Sequence, residues 1–381
     1  MKRIGNVYPK IQSVSNCEAA IMKASEHKRG RVEVKEILDD VTRYAKMLPA
    51  IIDDFTPSPY RRITRADGLK RKERHILVPR FWPDQCVQHA VIDPIASALV
   101  DRMYYWSCGS IEGRGVKHAR HGVERATLRD PKHAKYCLQM DIKHCYENIR
   151  NEPLISSLRR FIKDERALAV MEKIVRSNES LPIGNYSSPW FCNLYLTPLD
   201  RFITEQIKPA HYVRYADDFV LLDSNKRKLV KAEKQIREFA KKTLFLDLHE
   251  NACVFKVRRN GENPKSNNRS VDFVGMRFCI GYTVLRKQNA LAIMRQSRKI
   301  RRAITLGKPI SYRAASGFIS RAAQLKFCKS YGLRRKYVDP KEIVILKGVV
   351  RNESKRQQRA CAAVFGAEAS PAAGQGHRNP V

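Results

Sequence analysis

Apolar positions recur at helical spacing through the first 57 residues, most clearly over 18–23 and 34–48, and the run closes at Pro57-Ser58-Pro59. Residues 60–80 switch to alternation, which predicts a strand–turn–strand pair about Asp67-Gly68. Helical spacing returns over 84–106, and the glycine-rich stretch 107–115 (SCGSIEGRG) predicts a loop. Residues 136–142 (YCLQMDI) predict a strand that ends on a carboxylate. An amphipathic helix is expected over 152–178, a turn at Pro182-Ile183-Gly184, and a long apolar helix from there through Leu199. Residues 212–223 (YVRYADDFVLLD) predict a strand, a turn and a second strand, followed by a helix over 226–243. Residues 271–284 (VDFVGMRFCIGYTV) predict another hairpin, and 287–349 are helical and basic. From Arg351 onward Ala, Gly, Gln and Pro predominate, the mark of a flexible tail. No repeat is visible. The succession is α+β, with carboxylates at strand ends and turns.

Composition sharpens this picture. With 381 residues, 43% of them hydrophobic, the chain can bury a core large enough for two or three lobes. No run of 18 apolar residues exists, and the start (MKRIGNVYPK) lacks the apolar centre of a signal peptide, so a cytoplasmic protein without a membrane span is expected. The 73 Lys and Arg against 38 Asp and Glu leave a net charge of +35, an excess that repels itself unless a polyanion balances it. Nucleic acid is the partner this charge calls for. The ten cysteines contain no C-x-x-C pair, which argues for reduced core thiols and against a structural zinc.

The candidate chemistry lies in three acids. Asp141 ends one apolar strand, while Asp217 and Asp218 occupy the turn of an apolar hairpin. Acids flanked by Tyr, Val, Phe and Leu are costly to hold there unless a cation balances them. Asp-Asp pairs alone are commonly turns or caps; agreement with Asp141 is what raises this pair above that. Nucleotidyl transfer to a 3′-hydroxyl uses a pair of divalent ions, for which carboxylates are the natural ligands. Asp200 and Asp223 read as ordinary surface or cap residues.

Tyr215-Ala216-Asp217-Asp218 matches the Y-x-D-D signature of reverse transcriptases, and 139–149 (QMDIKHCYENI) matches their first catalytic strand. Residues 181–200 (LPIGNYSSPWFCNLYLTPLD) match the segment that contacts template and nascent pair; 72–89 (KERHILVPRFWPDQCVQH) resemble the fingers, and Val274-Gly275 the primer grip. Over roughly 60–290 the chain therefore resembles a compact bacterial reverse transcriptase. The resemblance implies a right-hand polymerase: an N-terminal helical extension (1–59), fingers and palm (60–285), a basic helical thumb (286–350) and a tail (351–381). It implies that Asp141, Asp217 and Asp218 are catalytic and that Asp141, Ile142, Asp217 and Asp218 hold two Mg²⁺, with Mn²⁺ as the alternative. Lys72, Arg74, Tyr146, Gly184 and Asn185 would bind the nucleotide, the Tyr146 ring excluding a 2′-hydroxyl. Gly109, Arg114, Gly115, Ser188, Pro189 and Gly275 would bind template and primer. The lysine that relatives place after the hairpin helix falls near Ala252 here, with Lys256 as a substitute.

The activity so implied is RNA-directed DNA synthesis from dNTPs on an RNA template, a cognate non-coding RNA, with DNA as product and an accessory protein or a homo-oligomer as further partners. No RNase H or His/Cys-rich endonuclease pattern is legible. Ile183 stands where many relatives carry Gln, which resembles the enzymes of diversity-generating retroelements, while Ser188-Pro189 departs from them; among defence-associated, diversity-generating and retron enzymes the segment fits neither of the last two patterns cleanly, so antiviral (anti-phage) defence is the favoured role. The alternatives are a mutagenic enzyme of a diversity-generating retroelement, a template-independent or protein-primed DNA synthesiser, and a catalytically silent RNA binder.

Overall fold

The computed structural model describes residues 3–67, 72–262 and 266–352, and at Asp67 and Lys72 the backbone alone. Gly68, Lys70, Arg71 and the tail from 353 onward, Cys361 included, lie outside the described residues. The chain divides into two compact units, Met1–Thr283 and Val284–Val381.

Among the described residues the strands are β1 (Arg61–Asp67), β2 (Lys72–Val78), β3 (Ser107–Cys108), β4 (Tyr136–Asp141), β5 (His211–Tyr215), β6 (Asp218–Asp223), β7 (Cys253–Lys256), β8 (Val271–Phe273), β9 (Met276–Cys279) and β10 (Tyr282–Leu285). They form a fingers-like hairpin β1-β2, a five-stranded sheet in the order β3-β5-β6-β4-β7, and a three-stranded sheet β10-β9-β8. In the larger sheet β6 lies between β4 and β5 and runs antiparallel to both, while β3 runs parallel to β5.

Alternation along β4 and β6 sorts their side chains into two cores. Leu138, Met140, Phe219 and Leu221 join the larger core with the helix Lys226–Thr243, which offers Leu229, Ala232, Ile236 and Ala240. Cys137, Val220 and Leu222 face the second core with Ala119, Val123 and the β8-β9 hairpin. Both faces being covered, these strands carry continuous apolar runs rather than a half-polar alternation.

Residues 3–59 are not a separate lobe. Their helices Val14–Ala24 and Val41–Asp53 bury Cys17, Ile21, Leu48 and Ile52 in the larger core beside the helix Cys86–Ile92. The expected helix over 152–178 is two helices, Asn151–Phe161 and Glu165–Val175. The break belongs to Asp164, which caps the second helix through Ala167 N–H and accepts both Val7 and Tyr8 N–H at 2.8 Å. Two further departures are strands: Ser107–Cys108, expected in a loop, is β3, and β7 pairs with β4 along Tyr136–Gln139. Segments of two and four residues are too short to show a period.

The second unit is helical. Lys287–Thr305, Tyr312–Gln324 and Tyr331–Tyr337, with a helix over 340–352, enclose Ile293, Ile300, Phe318, Leu325 and Leu346. Among the described residues, seven cysteines are buried free thiols, and no helix is long and apolar enough to cross a membrane.

Candidate active site

Because β4 and β6 run in opposite directions, the end of one lies beside the start of the other. Asp141 and Asp218 are register partners, which puts their Cβ atoms about 5 Å apart on one face. Asp217 adjoins them through the backbone: Ile142 N–H donates to the Asp217 carbonyl at 3.2 Å. All three acids are half-buried, at the ends of strands whose apolar residues are buried. Ile142 itself is buried. Among the described residues no group of three or more His, Cys, Asp or Glu side chains stands ready to hold a metal ion. Two paired carboxylates nevertheless fit Mg²⁺, which is commonly held by one or two carboxylates plus water and substrate oxygens.

The turn between β5 and β6 spans only Ala216 and Asp217, and Ala216 takes the left-handed φ of +54°. An alanine there is uncommon, and such a backbone persists when its surroundings over-determine it. Those surroundings are explicit. Ala216 N–H donates to the Cys108 carbonyl at 2.9 Å, and the Ala216 carbonyl accepts from Arg214 Nη1 at 2.8 Å. Arg214, 0% exposed, forms a forked pair with Asp200, 1% exposed: Nε to Oδ1 at 2.8 Å and Nη2 to Oδ2 at 2.7 Å. Tyr212 and Ser107 hydroxyls donate to the same carboxylate, each at 2.7 Å. Burial opposes the charge on Arg214, but the facing carboxylate outweighs it and raises its pKa. Asp200 is thus no surface acid. Asp223 is not one either: it is buried, accepts Ala210 and Asn225 N–H, and pairs with Lys228 at 2.8 Å.

Tyr146 lies one turn beyond Asp141 in the short helix Cys145–Asn148 and packs half-buried on the larger core. Burial, with nearby Cys192, Cys145 and Asp217, pushes its hydroxyl far above the ordinary tyrosine range, so it stays protonated. Arg74 is exposed on β2 directly opposite Arg65. Lys72 starts β2, and its side chain lies outside the described residues.

Gly184 has a structural reason of its own. At φ +135° a Cβ would sit 2.2 Å from the Leu77 carbonyl oxygen, and Leu77 N–H donates to the Ile183 carbonyl at 2.8 Å. The close approach is therefore to strand β2. Asn185 is 4% exposed and donates to the Tyr60 hydroxyl at 2.8 Å; Ser188 is 1% exposed, in the helix Ser187–Tyr195. Both of these side chains are enclosed in the protein, while Tyr186 and Pro189 beside them are half-buried.

Gly109, with φ +95°, presses on the Ala216-Asp217 turn, its added Cβ being 3.3 Å from Ala216 N. Arg114 closes the same loop, its guanidinium donating to the Tyr104 carbonyl and lying over the Tyr105 ring, and its carbonyl accepting Gly109 N–H at 2.9 Å. Both are accounted for by loop architecture; Gly115 caps the helix Val116–Glu124 and is exposed. Val274 and Gly275 both take positive φ, +43° and +80°, in the two-residue turn of β8-β9, and Gln139 Nε2 ties this hairpin to β4 through the Asp272 carbonyl at 2.7 Å. Lys256 cannot serve beside Asp141. It pairs with Tyr136, five residues back along β4, about 17 Å away. The residue that does stand there is His249, whose N–H donates to the Asp141 carbonyl at 2.9 Å and whose Nε2 is 3.9 Å from its carboxylate. Sequence spacing gave no sign of it, since it lies in a loop joined to β4 only by folding.

Residues 71–278 match the profile of "Reverse transcriptase (RNA-dependent DNA polymerase)". The chain is 25% identical over 191 residues to the group II intron-encoded protein LtrA of Lactococcus lactis subsp. cremoris, covering 45% of this chain and 31% of the relative. It is 24% identical over 286 residues to protein YkfC of Escherichia coli (strain K12), covering 63% and 70% respectively. It thus spans about a third of the length of the intron protein. A telomerase from Candida albicans in complex with a telomeric RNA fragment overlays with a TM-score of 0.44 at 12% identity, over 76% of this chain and 57% of that one.

Proposed function

The chain belongs to the reverse transcriptase family, and from that premise we propose that it is an RNA-directed DNA polymerase that adds dNTPs at Asp141, Asp217 and Asp218. The single observation that carries this reading is the register of Asp141 against Asp218, with Asp217 joined to Ile142 through the backbone. Asp141 and Asp217 would hold a pair of divalent cations, with Asp218 in support and the Ile142 carbonyl as a further oxygen. When bound, such a pair activates the 3′-hydroxyl and steadies the leaving pyrophosphate. Arg74 on the exposed hairpin, with Lys72 beside it in sequence, would receive the triphosphate through charge-assisted contacts. The Tyr146 ring would close the space a 2′-hydroxyl needs. The net charge of +35 would hold an RNA template and the growing duplex.

Primer extension on a defined RNA template tests the reading. Wild type should incorporate dNTPs in the presence of Mg²⁺, and Asp217→Asn should not while melting at the same temperature. Equal, nil synthesis by both would leave a basic RNA binder. A role in antiviral defence is the biological reading, chosen because Ile183-Gly184 with Ser188-Pro189 fits neither the diversity-generating nor the retron pattern; phage plating on cells with wild type against Asp217→Asn tests it, and equal plaque numbers would remove it.

A further inference from the structure

Arg214 and Asp200 are an expensive way to fill a core. Desolvating both charges offsets most of their attraction, and apolar groups of similar volume often serve stability as well. Their geometry points to a different use. The guanidinium spends Nε and Nη2 on Asp200 and directs Nη1 at two acceptors, the Ala216 carbonyl at 2.8 Å and Asn193 Oδ1 at 3.0 Å. Asn193 in turn donates its Nδ2 to the Gly109 carbonyl at 3.0 Å. It thereby links the two neighbours of Ala216: Arg214, which holds its carbonyl, and the β3 end, where Cys108 accepts its N–H and Gly109 crowds its backbone.

We propose that Asn193, Arg214 and Asp200 form a buried clamp that fixes the strained Ala216 and so sets where Asp217 and Asp218 stand, making Asn193 a positioning residue for nucleotide addition. This rests on the polymerase reading above. Asn193 and Asp200 come from the consecutive helices Ser187–Tyr195 and Thr197–Arg201, both packed in the larger core, so the clamp anchors the turn to buried helices. Ala216 pays for its left-handed backbone only while both of its polar groups are held. None of the three side chains needs to touch substrate: Asn193, Asp200 and Arg214 are all buried. They act through Ala216.

Asn193 is the residue to change, because Asn193→Leu and Asn193→Ala leave the Arg214–Asp200 pair intact. Steady-state dNTP titration in primer extension is read beside thermal melting and hydrogen exchange of peptides covering 108–110 and 215–218. The clamp requires kcat to fall about tenfold or more, KM for dNTP to hold, the melting temperature to stay near that of wild type, and exchange of the turn to quicken. Wild-type kcat in a folded variant overturns it. So does a loss of kcat with unchanged exchange at the turn, and so does collapse of the melting temperature in both variants, which would make Asn193 a stability element. If wild type itself makes no DNA, the polymerase reading fails, and the exchange comparison still decides whether the clamp holds the turn.

Discussion

At the scale of single residues, two positions separate local fit from chemistry. Gly184 is a glycine because any Cβ would collide with the Leu77 carbonyl oxygen, and because φ +135° is closed to L side chains. Gly184→Ala should cost about 1–3 kcal/mol and loosen the junction with β2; denaturant melts measure it, and wild-type stability would show that the segment shifts freely. Tyr146 is argued on chemistry. It lies five residues after Asp141, in the short helix Cys145–Asn148, half-buried on the larger core. Tyr146→Ala should let ribonucleotides compete, lowering the dNTP:rNTP preference by about tenfold or more, as expected for removing a steric gate worth ~1.4 kcal/mol or more. Competition assays read this, and an unchanged ratio would clear the ring of that role.

At the scale of elements, Asp164 joins two stretches far apart in sequence. Its Oδ2 receives Val7 and Tyr8 N–H, and its Oδ1 caps the helix Glu165–Val175. Burial alone would raise its pKa, but the N–H groups of Tyr8, Ala167 and Val7 outweigh burial, so its carboxyl titrates below the ordinary aspartate value. A folded-state value below the unfolded one means that the ionised form is the stabilising one. Its contribution is complete above the unfolded value near 4 and fades as pH falls through the lower, folded value. Wild type should therefore exceed Asp164→Asn by about 1 kcal/mol at neutral pH, and the gap should close on acidification. Thermal melts of both proteins between pH 7 and about 3 check this, and a gap that widens in acid would contradict it.

For the whole molecule, the governing quantity is charge. With 73 basic residues against 38 acidic ones, and like charges facing each other at Arg65 and Arg74, the surface is suited to a polyanion. Affinity for a labelled primer–template should drop about a thousandfold or more between about 50 and 200 mM salt, because binding at six or more phosphates releases that many counterions. Fluorescence anisotropy gives the slope. A salt-insensitive affinity would mean that the basic excess serves something other than nucleic acid.

The β-hairpin with Asp217-Asp218, the strand ending in Asp141, the helix over 226–243 and the glycine turn at Val274-Gly275 were legible in the sequence, because each is encoded by local period or by turn chemistry. Charge likewise needs no fold. What only the tertiary structure decided is which distant groups meet: Asp200 read as a surface or cap acid until Arg214 was found against it, strand register put Lys256, the substitute lysine, at the end of β4 far from Asp141, and His249 had no signal at all. Asn185 and Ser188 sat in a matching motif, yet burial turned their side chains inward. The physical reason is the same throughout. Period and propensity are properties of neighbouring residues, whereas burial, ion pairing and register arise from contacts between different elements, which become fixed when the sheet and its two cores close together.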